Sequence, residues 1–249
     1  MMRKLSIFFI IILVLFTSCR SIDNNSESSS RHSLTEKSEA NKNTSHVIPQ
    51  GSTIGTRYST PEGFTRVEVD KGSFEEFLRN QKLKPYGEKA LYYNGREKPS
   101  KGVYDSVIDV DIGDRDLHQC ADAIMLLRGE YLYSIGSYDD IKFNFVSGFT
   151  AEYNKWMEGY RIKVEGNDAS YYKGTEPSNT YEDFRKFMDM VFAYSGTLSL
   201  EKEMDRVHIE DMKIGDVFII GGSPGHAVII VDMAMNDANE KIFIIAQSY

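Results

Sequence analysis

Two side chains in the sequence, Cys120 and His226, could together perform nucleophilic catalysis. A thiol in the first turn of a helix gains from the helix dipole, which lowers its pKa and favours the reactive thiolate. Cys120 follows a polar segment in which Asp114 or Asp116 can cap such a helix. His226 follows a glycine-rich turn and begins an apolar strand, so we expect its ring to be partly exposed and rigidly held. A cysteine paired with an imidazole is the arrangement that activates a thiol nucleophile.

Each of these residues also has a purely structural interpretation. Cys120 shares the apolar face of its helix with Ile124 and Leu127, and free cysteine is among the most buried residue types. The nearby aspartates would also oppose a thiolate. His226 can equally be a polar residue at a strand end that bonds to the turn backbone. His118 and Cys120 have a spacing seen in metal sites, but side chains two apart on a helix diverge, so we predict no metal site and no cofactor.

A catalytic imidazole needs an orienting group, and strand pairing points to Gln247. Asp232 lies on the same side of the strand as His226, but six residues of strand separate the two by roughly 20 Å. If a turn near Asp237 joins two antiparallel strands, residues 247 and 248 lie beside His226. We therefore predict that Gln247 orients the imidazole. The alternative is a polar residue that merely ends the strand.

The elements that must position these residues are those of an α+β domain. The sequence predicts helices at 73–81, 120–133, 151–156 and 180–196, and strands at 90–93, 104–112, 141–145, 160–164, 216–220, 226–232 and 242–248. The last three strands form an antiparallel meander after the helices, instead of alternating with them. We therefore expect the helix that carries the cysteine to pack on a C-terminal antiparallel sheet.

The first residues are typical of a secretory signal peptide. Arg3 and Lys4 precede an apolar run at 5–16, which spans about 18 Å as a helix and is too short for a ~30 Å bilayer core. The tetrapeptide that ends in Cys19, FTSC, resembles a bacterial lipobox. This resemblance implies removal of residues 1–18, attachment of a diacylglycerol to Cys19, and an envelope location through that lipid. The alternative is an ordinary cleaved signal peptide with Cys19 unmodified.

Residues 19–60 are rich in Ser, Asn, Glu, Lys and Thr and contain few large apolar side chains. Such a segment cannot bury enough surface to offset the entropy of ordering it. We therefore predict a disordered tether that starts at the lipidated cysteine, followed by a single folded domain at 61–249.

The charge of the chain excludes some partners. The net charge is −8, and removal of residues 1–18 would take away two positive charges and no negative ones. Binding to a phosphate backbone needs a basic surface, so we expect no nucleic-acid partner. Direct contact with anionic lipid is disfavoured for the same reason, which leaves the acyl chains as the membrane attachment.

The segment GDVFIIGGSPGHAVIIVDMA at 215–234 resembles the Gly-Asp and Gly-His block of papain-like hydrolases of the NlpC/P60 and CHAP type. In those families a cysteine at a helix N-terminus precedes the block, and a polar third residue lies on the next strand. The resemblance implies that Cys120, His226 and Gln247 have these roles. The usual Asp-Cys-Ser-Gly box is absent, because Cys120 is followed by Ala121 and Asp122.

Over residues 62–249 the chain also resembles an uncharacterised bacterial lipoprotein family, a domain of unknown function. The resemblance rests on DLHQCADAIMLLRGEYLY, FNFVSGFTAEYNKW, SGTLSLEKEM and the terminal IAQSY. Relatives continue past the position of Tyr249, so we expect this sequence to be truncated at its C-terminus.

Taken together, the residues and resemblances predict a cell-envelope lipoprotein with a Cys-His thiol hydrolase, an amidase or peptidase that acts on peptidoglycan peptide. The alternative is a non-catalytic papain-like module that binds glycan, peptide or a partner protein. A transferase that uses the same residues is a third hypothesis, which the sequence does not separate from hydrolysis.

Overall fold

The computed structural model describes residues 2–5, 46–100 and 102–248 of the chain. The helices are α1 (Ile54–Arg57), α2 (Phe74–Arg79), α3 (Cys120–Ser134), α4 (Tyr153–Met157), α5 (Tyr181–Tyr194) and α6 (Thr197–Glu203). The strands are β1 (Arg3–Leu5), β2 (Phe64–Arg66), β3 (Lys142–Asn144), β4 (Thr150–Glu152), β5 (Tyr160–Glu165), β6 (Asp168–Lys173), β7 (Asp205–Val207), β8 (Val217–Ile220), β9 (His226–Asn236) and β10 (Lys241–Ala246). The predicted α+β class is confirmed. In the described part of the chain, no helix is both long and apolar enough to cross a bilayer.

The largest sheet has the strand order β10-β9-β8-β1-β7, and β2 pairs with the far half of β9. β9 is antiparallel to β8, β10 and β2, as the predicted meander requires, whereas β1 is parallel to both of its neighbours. β3 with β4 and β5 with β6 form two separate hairpins. Strand β9 is therefore the centre on which the C-terminal half of the fold is built.

The core lies between β9 and the helices α3 and α5. Residues 227 and 229–234 of β9 are buried, which explains their almost unbroken apolar sequence. Helix α3 is buried on most of its surface, whereas α5 is amphipathic and turns one phenylalanine-rich face inward. The two helices approach closely at Gly129, where an added Cβ would lie 3.1 Å from the Met188 sulfur.

Two strands predicted at 90–93 and 104–112 are wrong. This segment consists of turns, with isolated bridges such as the one between Leu83 and Ile108. Isolated backbone bonds, such as the one from the Lys84 N–H to the Val107 carbonyl at 2.9 Å, and side-chain contacts hold this segment in place of a strand ladder. The buried guanidinium of Arg57 donates to the Ser106 hydroxyl at 2.9 Å and to the Lys84 carbonyl at 3.1 Å.

Several other boundaries differ from the sequence prediction. The helix predicted at 151–156 begins at Tyr153, because the preceding residues pair with β3 as strand β4. The sequence did not predict α6 or β6. The folded unit also extends further toward the N-terminus than the composition predicted: it includes residues from His46, and Ile54 and Arg57 are buried.

The N-terminal predictions fall largely outside the described residues. Cys19 and the predicted tether up to residue 45 are not described. Residues 3–5, which belong to the predicted signal peptide, form strand β1 within the large sheet.

A buried carboxylate holds β9 against two neighbouring elements. Asp232 is 2% exposed and pairs with Arg66 of β2 at 2.9 Å and with Arg79 of α2 at 2.7 Å. Arg66 also donates to the carbonyls of Gly55 and Tyr58, both at 2.6 Å. This carboxyl group can be buried because both arginines and the Met233 N–H bond to its oxygens.

We expect Asp232→Ala to lower the free energy of unfolding by about 3–5 kcal/mol, because it leaves two partly buried guanidinium groups without their partner. Asp237→Ala is the matched control, since Asp237 is exposed in the turn that follows β9. Urea unfolding of both variants tests this. Equal stability of the two would contradict the structural role of Asp232.

Candidate active site

The three predicted site residues lie at the ends of the elements that were expected to carry them. Cys120 is the first residue of α3, His226 is the first residue of β9, and Gln247 follows the last residue of β10. The Cys120 side chain is partly buried, and those of His226 and Gln247 are exposed.

The structure brings His226 and Gln247 together. The ring nitrogen Nε2 of His226 lies 2.8 Å from the amide oxygen Oε1 of Gln247. The strand register explains this contact, because Ala246 pairs with Ile229 and the next residue therefore lies diagonally across from His226, on the same face of the sheet. An amide oxygen only accepts hydrogen bonds, so this arrangement assigns the proton to Nε2 and leaves Nδ1 as the basic nitrogen.

The end of β10 also contacts the chain that leads into α3. The Ser248 hydroxyl donates to the carbonyl of His118 at 3.0 Å. Cys120 is two residues further on, so at most about 7 Å of extended chain separates it from this contact. Because neighbouring residues point to opposite faces of a strand, Gln247 reaches His226 while Ser248 reaches the cysteine loop.

No hydrogen bond joins the Cys120 thiol to the His226 ring within the ranges that the structure describes. Two separate hydrogen bonds therefore connect the parts of the site. One joins His226 to Gln247, and the other joins Ser248 to the His118 carbonyl in the loop before Cys120. Catalytic hydrogen bonds are often long in enzymes without bound substrate and shorten only in the complex. The thiol–imidazole pair therefore stays a prediction.

The hairpin turn before His226 is fixed by its packing against α6. The Thr197 hydroxyl donates to the Gly222 carbonyl at 3.3 Å. At Gly225 an added Cβ would lie 2.1 Å from the same hydroxyl, so only glycine fits there. This close approach holds the backbone rigidly at the residue directly before His226.

The first turn of α3 is capped differently from the sequence prediction. The N-cap residue is Gln119, and its backbone N–H donates to the Asp122 carboxylate at 2.9 Å. Asp114 and Asp116 are exposed and too far back along the chain to cap a helix that begins at Cys120. The carboxylate of Asp122 instead stabilises the turn from within the helix.

Burial changes the charge of Asp122. Its side chain is buried, and burial raises its pKa to about 7, although the Gln119 N–H opposes this rise. Its Oδ1 atom has no hydrogen-bond partner in the described part of the chain. A substantial fraction of this carboxyl is therefore neutral near pH 7, which limits the repulsion between Asp122 and a Cys120 thiolate.

His118 is not equivalent to His226. Its ring packs edge-on against Phe192, and burial, helped by the positive charges of Arg185 and Lys98, lowers its pKa to about 4. The ring is therefore neutral at physiological pH. Among the described residues no cluster of three His, Cys, Asp or Glu side chains could hold a metal ion.

Sequence reasoning missed Asp122 and Thr197 as parts of this site, and it placed Ser248 beside His226 although its hydroxyl bonds to the His118 carbonyl. The register that placed Gln247 beside His226 could also have predicted that Ser248 points the opposite way. The spacing of Gln119 and Asp122 is that of a helix cap in which the third residue reaches back. The contact of Thr197 with the hairpin turn joins distant parts of the chain and has no local signal.

We expect Asp122→Asn to flatten the pH dependence of stability. The unfolded chain releases the Asp122 proton near pH 4 and the folded chain near pH 7, so the folded state loses stability as the pH rises between these values. Relative to the variant, the parent chain should lose roughly 2–3 kcal/mol between pH 4.5 and pH 8. Urea unfolding across this range measures the difference. Asp116→Asn, which removes an exposed carboxylate before the helix, is the matched control. Parallel curves for Asp122→Asn and the parent would contradict the assignment.

Comparison with known proteins identifies the family but no activity. Residues 54–249, more than three quarters of the chain, match the family described as Domain of unknown function (4846), in agreement with the resemblance over 62–249. Searches of curated proteins and of solved structures found no match. The chain thus belongs to the family called Domain of unknown function (4846), and its candidate site lies within the matched region.

Proposed function

We propose that the chain is a cell-envelope lipoprotein whose folded domain is a papain-like thiol hydrolase that cleaves amide bonds of peptidoglycan peptides. The observation that carries the proposal is the hydrogen bond between His226 Nε2 and Gln247 Oε1, at 2.8 Å. It lies where the end of β10 contacts the loop that leads to Cys120. The chain order of helix with cysteine, strand with histidine and strand with amide is that of papain-like enzymes.

In the proposed reaction His226 Nδ1 accepts the Cys120 thiol proton, and the thiolate sulfur attacks the substrate carbonyl carbon. Backbone N–H groups in the first turn of a helix have no intrahelical partner, so the Cys120 N–H can donate to the resulting oxyanion. The carbon–nitrogen bond then breaks, and the imidazolium returns the proton to the leaving amine. Water, deprotonated by the same ring, hydrolyses the thioester and restores the thiol.

Gln247 acts in this proposal as a positioning residue. Its amide oxygen holds the proton on Nε2, so that the basic nitrogen faces away from β10. Because this partner is neutral, it fixes the tautomer without adding a negative charge beside the developing imidazolium.

A second candidate function is a non-catalytic module that binds glycan, peptide or a partner protein in the cell envelope. The separate contacts of His226 and of the Cys120 loop favour it, since the described residues show no thiol–imidazole hydrogen bond. An exposed apolar side chain also lies beside His226: Ile220, which pairs with His226 across the hairpin, is 52% exposed.

Thiol reactivity separates the two functions. In a Cys19→Ser background Cys120 is the only thiol of the chain, so its rate of iodoacetamide labelling reports its thiolate. We expect rapid labelling of the native protein at pH 6, at least a tenfold loss in His226→Ala, and a smaller loss in Gln247→Ala. His208→Ala, at an exposed histidine, is the control and should label like the parent. Labelling that requires denaturant would exclude the hydrolase and favour the binding module.

The membrane attachment is proposed from the sequence around Cys19, which lies outside the described residues. We expect the protein, expressed in a bacterium supplied with radiolabelled palmitate, to incorporate the label. Cys19→Ser should abolish this incorporation and should move the protein from the membrane fraction to the soluble fraction. Cys120→Ser is the matched control and should keep its label. Equal incorporation into the Cys19→Ser variant and the parent would contradict the anchor.

A further inference from the structure

Strand β1 fills a gap between two strands that are not joined directly to each other. Arg3–Leu5 pairs in parallel with Asp205–Val207 of β7 on one side, and residues 4 and 5 pair with Val217 and Phe218 of β8 on the other. Within the described sheet, β7 pairs with no strand other than β1. The space between β7 and β8, called here the β1 slot, therefore requires a third, extended segment.

The slot recognises the side chains of this segment as well as its backbone. Arg3 Nε lies 3.2 Å from Oδ1 of Asp216, whose side chain is only 3% exposed, and Arg3 Nη2 donates to the Asp211 carbonyl at 2.8 Å. Lys4 is largely buried, and its ammonium donates to the Glu201 carbonyl. Leu5 is 3% exposed and belongs to the hydrophobic core.

The carboxylate of Asp216 provides the charge selection. One oxygen faces Arg3, and the other accepts the Lys213 N–H at 2.8 Å. Burial raises the pKa of this carboxyl, and the Lys213 N–H and Arg3 oppose the rise. A buried carboxylate whose cation is removed is strongly disfavoured, so the slot discriminates against a segment without a basic residue at this position.

We propose that the β1 slot is a peptide-binding site for an extended segment with two consecutive basic residues followed by a large aliphatic one, and that residues 3–5 of this chain are its occupant until processing releases them. Backbone pairing on both sides supplies affinity, and the Asp216 carboxylate and the core position of Leu5 supply specificity. Removal of residues 1–18 would empty the slot and leave β7 without its neighbour. Release of the segment rests on the proposed processing at Cys19, whereas binding of the segment to the slot is independent of Cys120.

The test uses the full chain with its own segment disabled by Arg3→Glu and Leu5→Asp. We expect this variant to bind a fluorescein-labelled peptide MMRKLS, measured by fluorescence anisotropy, at least tenfold more tightly than the parent chain does, because the parent slot is already occupied. The peptide MMEKLS should bind the variant at least tenfold more weakly than MMRKLS. Adding Asp216→Asn to the variant should weaken MMRKLS binding by a similar factor.

Equal binding of MMRKLS and MMEKLS, or equal binding to the variant and the parent, would overturn the proposal. If the double variant does not fold, hydrogen exchange on the parent chain gives an independent answer. The amides of Asp205 and Val207, which face β1, should be protected in the parent and should exchange at least tenfold faster in Arg3→Lys,Leu5→Ala, whose milder changes weaken the same contacts. Rapid exchange at these amides in the parent would also overturn the proposal.

Discussion

The fold depends on one buried carboxylate, Asp232, and on the two arginines that pair with it. Neither Arg66 nor Arg79 lies on the same element as Asp232, so the carboxylate is satisfied only when β2, α2 and β9 have all assembled. The cost of an unpaired buried charge thus makes these three elements cooperative. β9 is the strand that begins with His226, so the ion pairs that fix its position also fix one end of the candidate site.

The candidate site follows from strand register. Once β10 pairs with β9, the residue after Ala246 must lie near His226, and the residue after that must face the opposite side. One face of the strand end orients an imidazole, and the other contacts the loop before Cys120. Burial shifts two pKa values around Cys120, and the effects on stability are opposed. The lowered pKa of His118 makes folding more favourable as the pH rises from about 4 to 6.5. The raised pKa of Asp122 makes folding less favourable as the pH rises from about 4 to about 7. Both groups nevertheless carry less charge near neutral pH than exposed side chains of their types would.

The sequence predicted those features of the fold and site whose causes are local or periodic. Helix α3 begins at the predicted residue. The predicted meander placed Gln247 beside His226, because the position of a hairpin turn fixes which residues of the two strands lie opposite each other. The predicted strands at 90–93 and 104–112 failed because the alternation of apolar residues does not show whether a strand partner is present, and the described residues of this segment form only isolated bridges. Composition assigned residues 46–60 to a tether because this segment is polar on average. A few buried side chains, such as Ile54 and Arg57, nevertheless attach it to the folded unit. The charge of Asp122 was equally unpredictable, because it depends on burial by residues far away in the chain.

Strand β1 was not expected because its residues match a different sequence pattern. Two basic residues before an apolar run match the pattern of an export signal, and in the folded domain the same two residues lie against a buried carboxylate and a carbonyl of α6. These two roles exclude each other in time, because an export signal is read on an unfolded chain and the slot exists only in a folded one. A segment tethered to its own slot binds at high effective concentration, so it occupies the slot whenever the chain folds before it is cut. The proposed removal of residues 1–18 would take a cation from beside a buried carboxylate and a neighbour from β7, and it would leave an open strand edge next to Asp216.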